Sequence, residues 1–195
     1  MKIYILRHEK RPEDCSFFVP LSEEGLNDSI KLISHLKKCN IDLIFSSPFI
    51  RTLQTIYPYA KSENKKINLE YGLCELHHED IIPKKGANML LPNYLAKSFL
   101  VNDKYETLIK NTDITYPEKV KDCENRMLRV LRYVIEKYNK TNHNIVLVTH
   151  QNLCSAALKV VSKYVKIDED EIENYEKGKL TLVFDNNVWQ YKKIN

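Results

Sequence analysis

The chain lacks paired cysteines, a long apolar run, a strong charge of either sign and most of the usual glycine. Its five cysteines, Cys15, Cys39, Cys74, Cys123 and Cys154, are odd in number and scattered, with no Cys-x-x-Cys spacing. That argues against a disulfide framework or a zinc site and for a reducing, cytoplasmic setting. No apolar run approaches the length of a membrane span, and the amino terminus opens on a strand pattern instead of a secretory signal. The formal charge of +4 is too mild to argue for nucleic acid. Glycine occurs only four times while Lys and Asn recur throughout, which reads as coding bias. Internal repeats, low-complexity tracts and linkers are absent, so the 195 residues read most simply as one domain large enough to bury a proper core.

The chain is organised around its first eleven residues, MKIYILRHEKR. Lys2 to Leu6 reads as a buried strand, and it runs straight into Arg7 and His8, with Lys10 and Arg11 close behind. One imidazole among cations at a strand's carboxyl end lies where open α/β sheets bind ligands. The cations disfavour the protonated ring, which keeps His8 nucleophilic, and they attract an anion; the natural one is a phosphoryl group. A solvated basic strand end is the bland alternative.

Ser22 is a good N-cap for a helix from about Glu23 to Lys38. A second strand, Asp42 to Ser46, runs into Ser47-Pro48, and Pro48 opens a helix that carries Arg51 on its first turn. A third strand, Lys66 to Glu70, leads to Gly72-Leu73-Cys74-Glu75. From Leu76 to Tyr116 the pattern degrades, punctuated by Pro83, Gly86 and Pro92, with a short helix near Asn93 to Phe99. The spacing predicts an insertion or lid, residues 76–116, over the sheet edge. Pro117 starts the clearest helix, ending near Asn139; Asn144 to Val148 is a buried strand followed by Thr149-His150; a helix spans Leu153 to Lys163. Asp168 to Glu176 reads as a solvated helix, and the tail as a hairpin turning at Asn186-Asn187. Strands alternating with helices predict an α/β domain, a three-layer α/β/α sandwich around a mostly parallel sheet with a C-terminal β-hairpin.

Four strand ends thus deliver Arg7-His8, Arg51, Glu75 and His150. ILRHEKR, LSEEG, IFSSPFIRTLQT, GLCE, YPEKVKDCENR and VLVTHQN, in this order and spacing, resemble the histidine phosphatase (phosphoglycerate mutase-like) superfamily. LEYGLCE and Arg11 resemble its branch of ecdysteroid-phosphate phosphatases and suppressor of T-cell receptor signalling phosphatases. The resemblance implies a metal-independent phosphatase without cofactor. His8 would be the nucleophile that becomes phosphorylated, Glu75 the proton donor, and Arg7, Arg11, Arg51 and His150 the phosphate ligands. It implies a phosphorylated small molecule or phosphoprotein as substrate, with a homodimer left open. A phosphoglycerate mutase or fructose-2,6-bisphosphatase is the alternative within the family. Three residues depart from the family pattern: Glu9 and Gln151 stand where glycine is usual, and Lys119 where serine is usual. A carboxylate in the pocket would repel phosphate and raise the histidine pKa, whereas strand alternation would turn it away. Glu9 and Gln151 motivate a third reading, a catalytically inactive phospholigand-binding module.

Other patterns carry less. Cys123 to Arg129 matches the Cys-x5-Arg string of cysteine phosphatases but falls mid-helix. His77-His78 beside Glu79-Asp80 read as solvated lid residues and not metal ligands. The aromatic and basic residues between Tyr94 and Lys110 lack a stacking platform or basic stripe, so no nucleic-acid partner is expected.

Overall fold

The computed structural model describes residues 1–84, 87 and 89–194; Gly86, one of the punctuating residues above, lies outside these. Six strands form one sheet: β1 (Lys2–Arg7), β2 (Leu43–Ser46), β3 (Ile67–Leu69), β4 (Asn144–Thr149), β5 (Leu180–Asp185) and β6 (Val188–Ile194). Their order is β3-β2-β4-β1-β5-β6. The first four in that order run parallel, β5 is antiparallel to β1, and β6 is antiparallel to β5. The helices are α1 (Glu23–Lys38), α2 (Ile50–Ser62), α3 (Asn93–Ser98), α4 (Val120–Tyr138), α5 (Gln151–Val161) and α6 (Glu169–Glu173).

α1 packs on α2, and α4 on α5. The crossovers from β1 and β2 step toward the β3 edge, while those from β3 and β4 step back. Right-handed crossovers travelling in opposite senses put the two helix pairs on opposite faces, which is the sandwich expected from the sequence. β1 and β4 are neighbours whose crossovers leave on opposite faces, so their carboxyl ends mark the switch point at which open α/β sheets place their binding crevice. The central strands are apolar on both sides, and Ile3, Ile5, Leu6 and Ile145 through Val148 are buried.

Local chemistry explains the boundaries. Ser22 caps α1, its hydroxyl accepting from Gly25 N at 3.1 Å. α2 begins at Ile50, with extended Phe49 at the cap position. α4 begins at Val120 and not at Pro117, because Glu118 is tied to another segment: its N–H donates to His77 O at 2.7 Å. α5 begins at Gln151, two residues earlier than expected, directly after extended His150. The hairpin turns where predicted, with Asn186 and Asn187 at φ 48° and 65°, the left-handed pair that a two-residue turn between twisted strands requires. Within 76–116, residues 101–109 dock on the outer edge of β3. Val101 bridges Ile67, and the Glu70 carboxylate accepts from Tyr105 OH (2.6 Å), Leu108 N (2.9 Å) and Ile109 N (3.2 Å).

Candidate active site

Register decides which side chains meet. Arg7 of β1 pairs with Thr149 of β4, so the next residues, His8 and His150, emerge side by side at the carboxyl edge. Their ring centroids lie 5.3 Å apart in an edge-on arrangement. His8 N donates to Thr149 O (3.0 Å) and Ser47 N to Val148 O (3.0 Å), which stitches the three strand ends together. His8, Arg51 and His150 each keep 1% or less of their surface exposed.

His8 Nδ1 lies 2.7 Å from the carbonyl oxygen of Glu9. A carbonyl only accepts, so Nδ1 carries the proton and, in the neutral ring, Nε2 holds a free lone pair. Burial and then the Arg51 charge hold His8 well below its ordinary pKa, with Arg7 and Arg11 adding to the effect. His150 is lowered likewise, by burial first and then by Arg51 and His8. Its Nε2 meets Ser47 Oγ at 2.9 Å, and Phe49 packs on the ring at 4.8 Å between centroids.

The guanidiniums gather on the same crevice. Arg51 rises from the first turn of α2, with Nη1 donating to Cys15 O (3.1 Å) and Ser16 O (2.9 Å) and its guanidinium over the Phe49 ring at 4.5 Å. Burial pulls its pKa down to about 10, partly offset by Glu75. Arg7 donates to Tyr175 O, and Arg11 to the carbonyls of Pro12, Glu13 and Asp14. Among the described residues, Nε of Arg7, Arg11 and Arg51 and Nδ1 of His150 are buried without a partner. Four unpaired donors around one imidazole can hold an anion. Glu75 accepts from Leu76 N (2.9 Å) and Asn152 Nδ2 (3.1 Å) and lies within electrostatic reach of Arg7 and Arg51. All the residues singled out from the sequence, Arg7, His8, Arg11, Arg51, Glu75 and His150, therefore fall at one crevice.

Glu9 turns away from it. A Cβ on Gly178 would sit 2.2 Å from Glu9 Oε1, and Gly178 has φ +70°, so this glycine makes room for the carboxylate on the far side of the chain. Burial and nearby Asp28 push Glu9 up to about 7. Gln151 also faces outward, its Nε2 donating to Glu173 O at 3.0 Å, and Lys119 is exposed. The two residues that motivated an inactive module thus leave the crevice clear. His77, expected in solvent, is buried instead, because its carbonyl accepts from Glu118 N and its own N–H donates to the Glu118 carboxylate. Cys123 is buried on α4 and Arg129 is exposed, so the Cys-x5-Arg string forms no anion loop.

Sequence reasoning missed the supporting layer: Ser47 on His150, Asn152 on Glu75, and Arg126. Arg126 is clamped bidentately by Glu118 (2.9 and 2.8 Å), and it donates to the carbonyls of Gly72 (2.9 Å) and Cys74 (2.8 Å), directly before Glu75. Ser47, Asn152 and Arg126 sit inside the quoted motifs, but polar residues on helices and turns announce no partner until the chain is folded.

Known structures share this architecture. The ecdysone phosphate phosphatase of Bombix mori, solved with tungstate, superimposes with a TM-score of 0.67 at 15% identity, covering 100% of this chain and 92% of that one. The mycobacterial glucosyl-3-phosphoglycerate phosphatase with VO3 gives 0.68 at 17%, covering 100% and 98%. A putative alpha-ribazole-5'-P phosphatase of Escherichia coli gives 0.65 at 16%, covering 100% and 96%. At such identities the likeness speaks for the fold alone. No curated protein sequence matches the chain. The profile of the histidine phosphatase superfamily (branch 1) matches residues 18–195, everything after the segment that carries Arg7 and His8. With most of its length covered by that profile, the chain belongs to the histidine phosphatase superfamily, branch 1.

Proposed function

We propose that the protein is a phosphomonoester phosphatase that works through a phosphohistidine on His8 and needs no metal. The observation that carries the reading is the His8 ring: Nδ1 committed to the Glu9 carbonyl, Nε2 left with its lone pair, and His150 at 5.3 Å. Family membership and the phosphatases among its structural neighbours support the same class of reaction.

In the first step His8 Nε2 attacks phosphorus, the P–N bond forms, and the ester P–O bond breaks. Protonated Glu75 gives its proton to the departing oxygen. Water then attacks phosphorus as Glu75 takes its proton; the P–N bond breaks and its electron pair returns to Nε2. Charge spreads over the phosphoryl oxygens in each transition state, so fixed cations matter more than a strong base. Arg7, Arg11, Arg51 and His150 supply those donors, with phosphoryl oxygens replacing the carbonyls of Pro12 to Ser16 that Arg11 and Arg51 now hold. The whole chain acts as one domain, and the first residues of segment 76–116, which leave directly from Glu75, meet the substrate's leaving group. Substrates are phosphorylated small molecules or phosphoproteins.

Purified protein with EDTA and an aryl phosphate tests the reading. Turnover is expected, with an initial burst of phenol, and His8→Ala abolishes both. Turnover that persists in that variant removes the mechanism.

A further inference from the structure

We propose that Ser47 is a positioning residue: its hydroxyl donates to Nε2 of His150 and so keeps the ring's one proton on Nδ1, where it serves the phosphoryl oxygen. The proposal rests on the phosphatase reading above and assigns a role to a residue outside the ligand set.

A neutral imidazole has one N–H, and only a donor is useful to an anionic oxygen. Both rings here are buried among guanidiniums, which disfavours the doubly protonated form that would make the choice irrelevant. His150 Nε2 is already engaged by Ser47 Oγ at 2.9 Å, so the nitrogen left for substrate is Nδ1, buried and unpartnered among the described residues. With the proton on Nε2 instead, Nδ1 would present a lone pair to the phosphoryl group and repel it.

The surroundings of Ser47 fix the direction of the bond. Its oxygen lies 3.4 Å from the Phe49 N–H, which can only donate. The Cys74 sulfur also lies within reach of Ser47, where it could only compete as an acceptor for the hydroxyl proton. The hydroxyl therefore receives from Phe49 and has one proton to give. The imidazole nitrogen is a far better acceptor than a thiol sulfur. Ser47 itself is completely buried and its backbone is tied to β4 through Val148 O, so water does not compete and the hydroxyl cannot drift. His8 obeys the same logic with the opposite outcome. There the backbone carbonyl of Glu9 takes the Nδ1 proton and frees Nε2 to attack. One ring is set as nucleophile and its neighbour as donor, each by the partner of its other nitrogen.

Long-range proton–nitrogen correlation spectra of the full chain labelled at histidine nitrogen test this, with inorganic phosphate as probe and His150 assigned by its loss in His150→Asn. In the wild type the His150 signals should show a protonated Nδ1 and a bare Nε2. Ser47→Ala should move proton onto Nε2, weaken phosphate binding, and lower kcat on the order of 10²-fold, the usual cost of losing one transition-state donor. A wild-type ring protonated on Nε2 overturns the assignment, as does a Ser47→Ala protein with unchanged tautomer and turnover within about twofold, given that donor losses of this type cost far more. Should Ser47→Ala fail to fold, the wild-type spectrum alone decides. An inactive wild type refutes the phosphatase reading; an active wild type with the proton on Nε2 refutes only the role of Ser47.

Discussion

Severing the pair Glu118–Arg126 should unfold the protein at markedly lower temperature. Both side chains are buried, Arg126 at 5% and Glu118 at 3% exposure, and they meet in a two-pronged bond of 2.9 and 2.8 Å. Burial opposes the Arg126 charge most strongly, yet the Glu118 hydrogen bonds, the Glu118 charge and the nearby Cys123 and Cys74 together hold the guanidinium pKa above its ordinary value. Glu118→Gln keeps the shape and leaves that cation without its counter-charge, which costs about 3–5 kcal/mol when a buried pair is broken from one side. For a domain of this size about 1 kcal/mol shifts Tm by about 2–4 °C, so the variant should melt about 6–20 °C lower. Arg126→Met should cost a similar amount and also strips the donor from the carbonyls of Gly72 and Cys74, loosening the backbone that presents Glu75. The double variant should lose about 2 kcal/mol less than the two singles summed, because no uncompensated charge remains. Thermal melts by circular dichroism, with urea titrations for the free energies, read all three. A Glu118→Gln protein melting within about 2 °C of the wild type would show the pair to be far weaker than buried pairs usually are, and would refute the reasoning.

Three further outcomes follow from the charges. The histidine pKa shifts make acid destabilising: His8, His77 and His150 are all lowered in the fold, His77 to about 3, so the unfolded chain binds more protons below its ordinary value of 6.5. The stability these three rings contribute should therefore be complete above about pH 6.5 and fall as pH drops, by up to about 1.4 kcal/mol per pH unit for each imidazole, in urea titrations across that range. By the same shift, the acid limb of kcat/KM should lie well below 6.5, since His8 stays neutral there; a limb at 6.5 would contradict its burial. Glu9 has the opposite sign. Its pKa is raised to about 7, so ionisation costs stability as pH rises past the ordinary carboxyl value, and Glu9→Gln should stabilise by about 1–3 kcal/mol at pH 8 while changing little at pH 5.

Much of the fold was legible because its signals are local. Apolar β-branched runs marked β1 and β4, Ser22 marked the start of α1, and Asn186-Asn187 marked the final turn; each rests on interactions within a few residues. The candidate site was legible for the same reason, since Arg7, His8, Arg51 and His150 each end or follow a strand or open a helix, and parallel strands bring such positions to one edge. What stayed hidden depends on distant partners. The start of α4 moved from Pro117 to Val120 because Glu118 pairs with His77, 41 residues away in the chain. The direction of the Glu9 side chain depends on Gly178, and the burial of His77 on Glu118. Neither can be read from spacing along one segment.

The most direct measurement is a rapid-quench experiment with 32P-labelled aryl phosphate, followed by peptide mapping of the denatured protein. The account predicts an acid-labile, base-stable phosphoryl group on the peptide containing His8, formed before steady turnover and absent from His8→Ala. Full turnover in wild-type protein with the label on another residue, or with no trapped label at any time, would contradict it.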